Sequence, residues 1–342
     1  MVVRTAAVFF KSSLLLLALN LALLAPMVRA QDPGLGTPHI TPRHEAKVNA
    51  YVPAGATISE LRPRPMRVDV NLVLVPVTVV DAYNHPVIDL PKQDFSLLEG
   101  GVPQQIQYFN REDGPISVAL ILDFSGSMNN KAEFVIQAVN EFFQNANPED
   151  DYFVIAVSDR PTLVADASQS SNTILSHLGA IAPHGMTALY DSIYLGANKL
   201  RTARYKRRAM VIVSDGGDNR SRYTLKEIKS VLEESDVLTY SIGLFDDVPT
   251  PLFKSIEERW GRKWLDDVTR ASGGRNLPAD DRRQIPQIAG IISRELRTQY
   301  VLGYRPTDLT NDGKWRKISV KLAAGEAPMH AHFKEGYVAP GP

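Results

Sequence analysis

The 342-residue chain contains no cysteine. That excludes disulfides, thiolate metal sites and a lipobox anchor, so any fold must be held by its apolar core. An excess of either charge is also lacking, because 38 Lys+Arg stand against 38 Asp+Glu. A nucleic-acid binder is usually strongly basic, and nothing here points to one. Long hydrophobic runs are absent except near the start, where residues 12–25 are apolar and leucine-rich. This run is short for a membrane span of ~20 residues. Arg4 and Lys11 precede it, and Val28-Arg29-Ala30 follows with residues a signal peptidase can read. Residues 1–30 therefore read as a secretory signal peptide cleaved after Ala30, with an uncleaved anchor as the alternative. The expectation is a secreted or periplasmic protein with no stable membrane insertion after cleavage. Removal of Arg4, Lys11 and Arg29 leaves that mature chain slightly acidic.

The remaining length of about 310 residues is enough for two domains, at ~100–200 residues each. Residues 31–65 are rich in Pro, Gly, Thr and Ala and read as a flexible linker. From Met66 the chain turns β-like. Val68, Val70, Leu72 and Leu74 lead into Val75 to Val80, with Pro76 favouring an edge or a bulge. A turn at residues 81–86 is expected to return into a strand at 87–90. Residues 95–99, a Gly100-Gly101 turn and residues 104–109 form a hairpin-rich β segment.

The rhythm changes at Ile116. Strands are expected at residues 116–122, 152–157, 209–213 and 237–244, with a hairpin partner at 162–165 and a short strand at 275–277. Helices are expected at 132–143, 174–181, 188–200, 225–232, 264–271 and 285–296. This alternation means a doubly wound parallel α/β sheet, whose strands read as continuous apolar runs because helices cover both faces. After Arg297 the pattern is β again, at 300–304, 315–322 and 330–337. Neither β segment is large enough to close a core alone. Residues 66–112 and 298–338 are therefore expected to form one sandwich-like all-β domain, with the α/β domain of residues 116–296 inserted between them. Two separate β modules are the alternative.

The chemistry concentrates at strand ends. Ser117-Val118-Ala119-Leu120-Ile121-Leu122 runs into Asp123-Phe124-Ser125-Gly126-Ser127, which places hard oxygen donors at alternate positions. A second apolar run, Ala209 to Ser214, ends in Asp215-Gly216, and between the two lies Gly185-Met186-Thr187. Such donors suit a hard divalent cation, and no general base accompanies them. Gly126 allows a tight turn between Ser125 and Ser127.

These residues resemble the von Willebrand factor A (vWA) domain and its metal-ion-dependent adhesion site, known as MIDAS. The family pattern is Asp-x-Ser-x-Ser, then a Thr, then an Asp, matched here by Asp123, Ser125 and Ser127, by Thr187 and by Asp215. The resemblance covers residues 116–296 and implies one Mg²⁺, with Mn²⁺ or Ca²⁺ as alternatives. It also implies that the ion accepts an acidic residue from a protein partner, as in cell adhesion. The flanks, including Val87-Ile88-Asp89-Leu90, Tyr300-Val301-Leu302-Gly303-Tyr304 and Gly336-Tyr337, resemble those of secreted bacterial vWA-related proteins.

Other readings are weaker. A phosphotransfer site around Asp123 would want a second Asp where Ser125 stands. Ser125 lies outside any Gly-x-Ser-x-Gly motif, and neither His177 nor His184 is assigned to it. A metal-dependent hydrolase needs a base beside a metal-bound water. A structural or assembly role at the cell envelope, with a purely structural metal, is the leading alternative to binding. Asp191 is expected on the first turn of its helix as a supporting acceptor, with Asp218 and Asn219 as loop surface. Arg201, Arg204, Lys206, Arg207 and Arg208 read as a solvated helix end. His330 and His332 read as surface residues of one strand face.

Overall fold

The computed structural model describes residues 72–167, 169–245, 256–323 and 328–341. The expected signal peptide, the linker and the strand start at Met66 lie outside the described residues. In chain order the strands are β1 (Val73–Asp81), β2 (Phe95–Glu99), β3 (Val102–Gln104), β4 (Ile106–Glu112), β5 (Ser117–Asp123), β6 (Asp151–Val157), β7 (Thr162–Ala165), β8 (Arg208–Ser214), β9 (Val237–Leu244), β10 (Asn276–Ala279), β11 (Gln299–Tyr304), β12 (Trp315–Leu322), β13 (Met329–Phe333) and β14 (Gly336–Val338). The helices are α1 (Ala132–Gln144), α2 (Ser171–Gly179), α3 (Leu189–Arg201), α4 (Leu225–Glu234), α5 (Ile256–Ser272) and α6 (Ile285–Arg297).

The central sheet has the order β10-β9-β8-β5-β6-β7. All its pairings are parallel except β6–β7, which is the antiparallel hairpin. All seven residues of β5 are buried, and their alternation feeds two cores. Val118, Leu120 and Leu122 pack with α1, α2 and α6, whereas Ala119 and Ile121 pack with α3, α4 and α5. This two-sided burial is why β5 reads as an unbroken apolar run. Gly196 of α3 brings that helix close to the sheet, since a Cβ there would lie 2.9 Å from Ile121 Cδ1.

Two four-stranded antiparallel sheets form the second layer system. Their orders are β13-β1-β11-β4 and β14-β12-β2-β3. Val75, Val77, Tyr300 and Leu302 of one sheet share a core with Phe95, Leu97, Ile318 and Val320 of the other, which makes a β-sandwich. The chain passes from β3 directly into β4 and from β13 into β14, so edge strands of one sheet run on into edge strands of the other. The α/β layer is inserted between β4 and β11, which are neighbours with Glu112 paired to Gln299.

Three local expectations need correcting. Residues 87–90 form no strand, and only Pro86 makes an isolated bridge to Val80. Strand β1 is interior to its sheet despite Pro76. The proline is tolerated because pairing with β13 begins only at Val77, so Pro76 has a strand partner on one side alone. The basic run is not simply solvated. Arg207 is largely buried and donates to the carbonyls of Gly114, Glu112 and Leu296 (2.6 Å for Leu296), clasping the entry and exit of the inserted layer. That role is invisible in a run of like charges.

A polar seam joins the two layers. The side chains of Thr78 of β1 and Tyr240 of β9 approach to 3.4 Å, Arg275 donates to Asn84 at 2.7 Å, and Lys334 donates to the Ser235 carbonyl at 3.1 Å. Arg275 also forms a doubly bonded ion pair with Glu295, which is fully buried. Burial pushes the Glu295 carboxyl up although Arg275 opposes the shift. Burial, with Arg275 adding, pushes the His332 imidazole down to about 4.

Candidate metal centre

The sheet reverses its winding at β5, because the chain moves to β6 on one side and returns to β8 on the other. A switch point of this kind opens a crevice beyond the carboxyl ends of the strands. Asp123 ends β5, and Asp215 directly follows the end of β8. The topology thus brings two carboxylates together from positions 92 residues apart.

Asp123 is fully buried and held from two sides. Its Oδ1 accepts the Ser125 N–H at 2.9 Å, and its Oδ2 accepts the Ser214 hydroxyl at 2.6 Å. The Ser214 oxygen in turn accepts the Gly216 N–H at 3.0 Å. Burial, and then the charge of Asp215, push the Asp123 carboxyl up to about 6. Asp215 Oδ1 accepts the Gly217 N–H at 3.1 Å. Gly216 adopts φ 82°, and a Cβ on it would lie 2.6 Å from the Gly261 carbonyl oxygen of α5. The turn after Asp215 therefore needs glycine both for its conformation and for the close approach of α5.

The hydroxyl donors come from the loop after β5, which also carries Asp123, and from the loop before α3. Ser125 is buried and Ser127 exposed, with their Oγ atoms 3.1 Å apart. Thr187 is buried, and its hydroxyl makes no hydrogen bond among the described residues. Backbone bonds close the three loops into one unit. Gly126 N–H donates to the Gly185 carbonyl at 3.0 Å, and His184 N–H to Phe124 at 2.9 Å. Asn219 and Arg220 N–H groups donate to the Thr187 carbonyl at 3.1 and 3.2 Å. Lys131 Nζ reaches the Leu244 carbonyl at 3.3 Å and ties the first loop to the end of β9.

Asp218 and Asn219 are not idle loop surface, as expected from sequence. The N-cap residue of α3 is Ala188, which has no side-chain acceptor, and the third loop supplies the missing caps. Asn219 Oδ1 accepts the Thr187 N–H, Asp218 Oδ2 the Tyr190 N–H and Ser221 Oγ the Asp191 N–H, at 2.9, 2.9 and 3.0 Å. Asp191 answers by accepting the backbone N–H groups of Arg222 and Tyr223 at 2.9 and 3.2 Å. Free helix N–H groups must find acceptors. An alanine at the start of a helix, with Asp-Asn-Arg-Ser after a distant strand, was the available signal. Ser214 carried no comparable signal, because it reads as the last residue of an apolar strand.

The donor set fits a hard cation. A carboxyl raised by burial and by a second carboxylate, with a threonine hydroxyl free of hydrogen bonds among the described residues on the adjoining loop, is short of positive charge. Hydroxyl and carboxylate oxygens are what Mg²⁺-type ions take. Among the described residues no cluster of three or more His, Asp or Glu exists that could hold a metal instead.

A doubly wound sheet with an oxygen-lined crevice at its switch point defines the class, and residues 118–217 match the family profile of the von Willebrand factor type A domain. The chain carries a domain of that family. No curated protein matches it. Among solved structures it is similar to a von Willebrand factor type A protein from Catenulispora acidiphila, at 12% identity over 79% of this chain and 74% of that one, with a TM-score of 0.45. It is similar to an aerotolerance-related membrane protein from Bacteroides fragilis, at 19% identity over 53% of this chain and 98% of that one, with a TM-score of 0.43. A third is proximal thread matrix protein 1 from the mussel byssus with a zinc-occupied MIDAS motif, at 15% identity over 58% of this chain and 50% of that one, with a TM-score of 0.47. What this chain binds is set by its own side chains.

Proposed function

We propose that this protein binds a macromolecular partner, a protein, through a divalent cation held by Asp123, Ser125, Ser127, Thr187 and Asp215. The observation that carries the reading is the buried Asp123 carboxyl, raised to about 6 by burial and by Asp215, with the Thr187 hydroxyl free of hydrogen bonds among the described residues on the adjoining loop. When bound, the cation supplies an under-neutralised coordination position suited to a partner's carboxylate. Asp123, locked by Ser125 and Ser214, fixes the floor of the site, while Ser127 and Thr187 offer their oxygens from the rim. The ion is Mg²⁺ or Mn²⁺, and no turnover accompanies binding. Export follows from the expected signal peptide, and the domain limits are 66–112 with 298–338 for the sandwich and 116–296 for the vWA domain. Among the described residues no helix is long and apolar enough to cross a membrane.

Calorimetric titration tests the site. One Mg²⁺ or Mn²⁺ per chain should bind, and Asp123→Ala should lose it while keeping its circular dichroism. Equal metal affinity in the two proteins sinks the assignment. Capture of partners from culture supernatant with and without EDTA tests the function. A partner retained equally in EDTA moves the interaction surface to the sandwich. Metal-dependent hydrolysis of an ester, peptide or phosphate that disappears in Ser125→Ala makes the protein an enzyme instead.

A further inference from the structure

The loops around the metal centre leave two arginines over. Arg160 lies in the β6–β7 turn and Arg220 in the loop after β8. Both are exposed, and neither side chain makes an ion pair or hydrogen bond among the described residues. Among the described residues of neighbouring loops, Asp280 is paired with Arg262 and Asp281 with Arg283, while Asp159 has no cation and accepts the Met186 N–H. Asp218 is used in capping α3. The Asp159, Asp215 and Asp218 carboxylates are held by backbone N–H groups, so the charged side chains beside the site with neither an ion pair nor a hydrogen bond among the described residues are the two arginines.

Both arginines stand on backbone that is fixed to the Thr187 loop. Arg220 N–H donates to the Thr187 carbonyl at 3.2 Å. On the other side, the carbonyl of Ser158 accepts the Ala188 N–H and Asp159 Oδ1 accepts the Met186 N–H, each at 2.9 Å. Each arginine thus lies within two residues of a group bonded to residues 186–188. Met186, on the loop to which both are tied, is 50% exposed. A solvated methionine next to a site built of hydroxyls is a soft, adaptable apolar contact.

We infer that Arg160, Arg220 and Met186 determine which partner segment the centre accepts: an acidic peptide whose metal-bound carboxylate is flanked by further carboxylates and an apolar side chain. This rests on the metal-dependent binding proposed above. Arginine suits carboxylates because its fork can bond both oxygens. Charges at the margin of a site choose the partner and repel wrong ones, which the central cation alone cannot do.

The test uses the full chain and short synthetic peptides with one central Asp, flanked by Glu, by Ser or by Lys, in matched versions with Leu or Ser beside the Asp. Binding is read by fluorescence anisotropy in Mg²⁺ and in EDTA. Two exposed charge pairs gained against two repulsions imply about a tenfold preference for Glu over Lys flanks. Arg160→Glu with Arg220→Glu should reverse that order, and Met186→Ser should erase the advantage of Leu. Calorimetric Mg²⁺ affinity of the variants confirms that the centre persists. Mg²⁺-dependent binding with no flank preference, or with a preference unchanged in the arginine variant, overturns the inference and leaves the metal reading standing. No peptide binding better in Mg²⁺ than in EDTA overturns both.

Discussion

Ser214, the last residue of β8, donates its hydroxyl to Asp123 Oδ2 at the end of the neighbouring β5, 2.6 Å away. One strand thus sets the orientation of the carboxylate on the next, and Ser214 stands outside the expected ligand set. Removing such a supporting hydrogen bond costs on the order of 10–100-fold in metal affinity. Ser214→Ala should weaken Mg²⁺ binding by that factor in calorimetry while thermal unfolding stays cooperative. Unchanged affinity would show that Ser125 N–H alone holds Asp123.

The raised carboxyl of Asp123 has a stability consequence with a definite sign. Its folded-state value of about 6 lies above the ordinary 3.8, so the folded protein binds the extra proton. Without metal, this group's stabilisation is complete below the ordinary value and is lost as pH rises toward and through 6. A shift of about two units corresponds to ~3 kcal/mol. Mg²⁺ should therefore raise the melting temperature much more at pH 7.5 than at pH 5. An equal rise at both pH values is the outcome against it.

The pair of Arg275 and Glu295 predicts a different pH response. Arg275→Met strands a fully buried carboxylate, and breaking such a pair costs on the order of 3–5 kcal/mol. Burial already raises Glu295 and the lost guanidinium would raise it further. Protonation then relieves the penalty, so the variant's deficit in urea unfolding should shrink as pH is lowered from 7.5 to 5. A deficit constant over that range would point to lost packing instead.

Strand β11 lies between β1 and β4. Deleting residues 298–342 removes it together with β12 to β14, and uncovers Val75, Val77, Phe95 and Leu97. The truncated chain should aggregate in size-exclusion chromatography. A monomer with unchanged thermal unfolding would mean that the N-terminal β segment is an independent module.

Much of this arrangement is legible in the sequence. The buried parallel strands show as unbroken apolar runs because both of their faces are covered, as in β5 and β8. The oxygen donors show because they interrupt those runs. What stays hidden depends on partners distant along the chain. Asp218 and Asn219 read as loop surface, since only the fold brings them to the uncapped start of α3. Arg207 reads as one cation among five, since its acceptors are backbone carbonyls of residues 112, 114 and 296. Residues 87–90 have strand-like composition, but after one bond from Val87 N–H to the Val79 carbonyl the segment leaves the edge of β1, and the Tyr300 hydroxyl donates to the Val87 carbonyl and accepts the Leu90 N–H instead.

The neighbouring antiparallel strands β4 and β11, joined through Glu112 and Gln299, are the two tethers of the vWA domain. A pull on that domain draws both strands the same way, so it does not peel one from the other. The load passes from β11 to β1 along the strand axis, across hydrogen bonds that lie perpendicular to it. Those bonds are strained in shear, all together, rather than opened one by one like a zip. A tether of this geometry gives way at high force and suddenly.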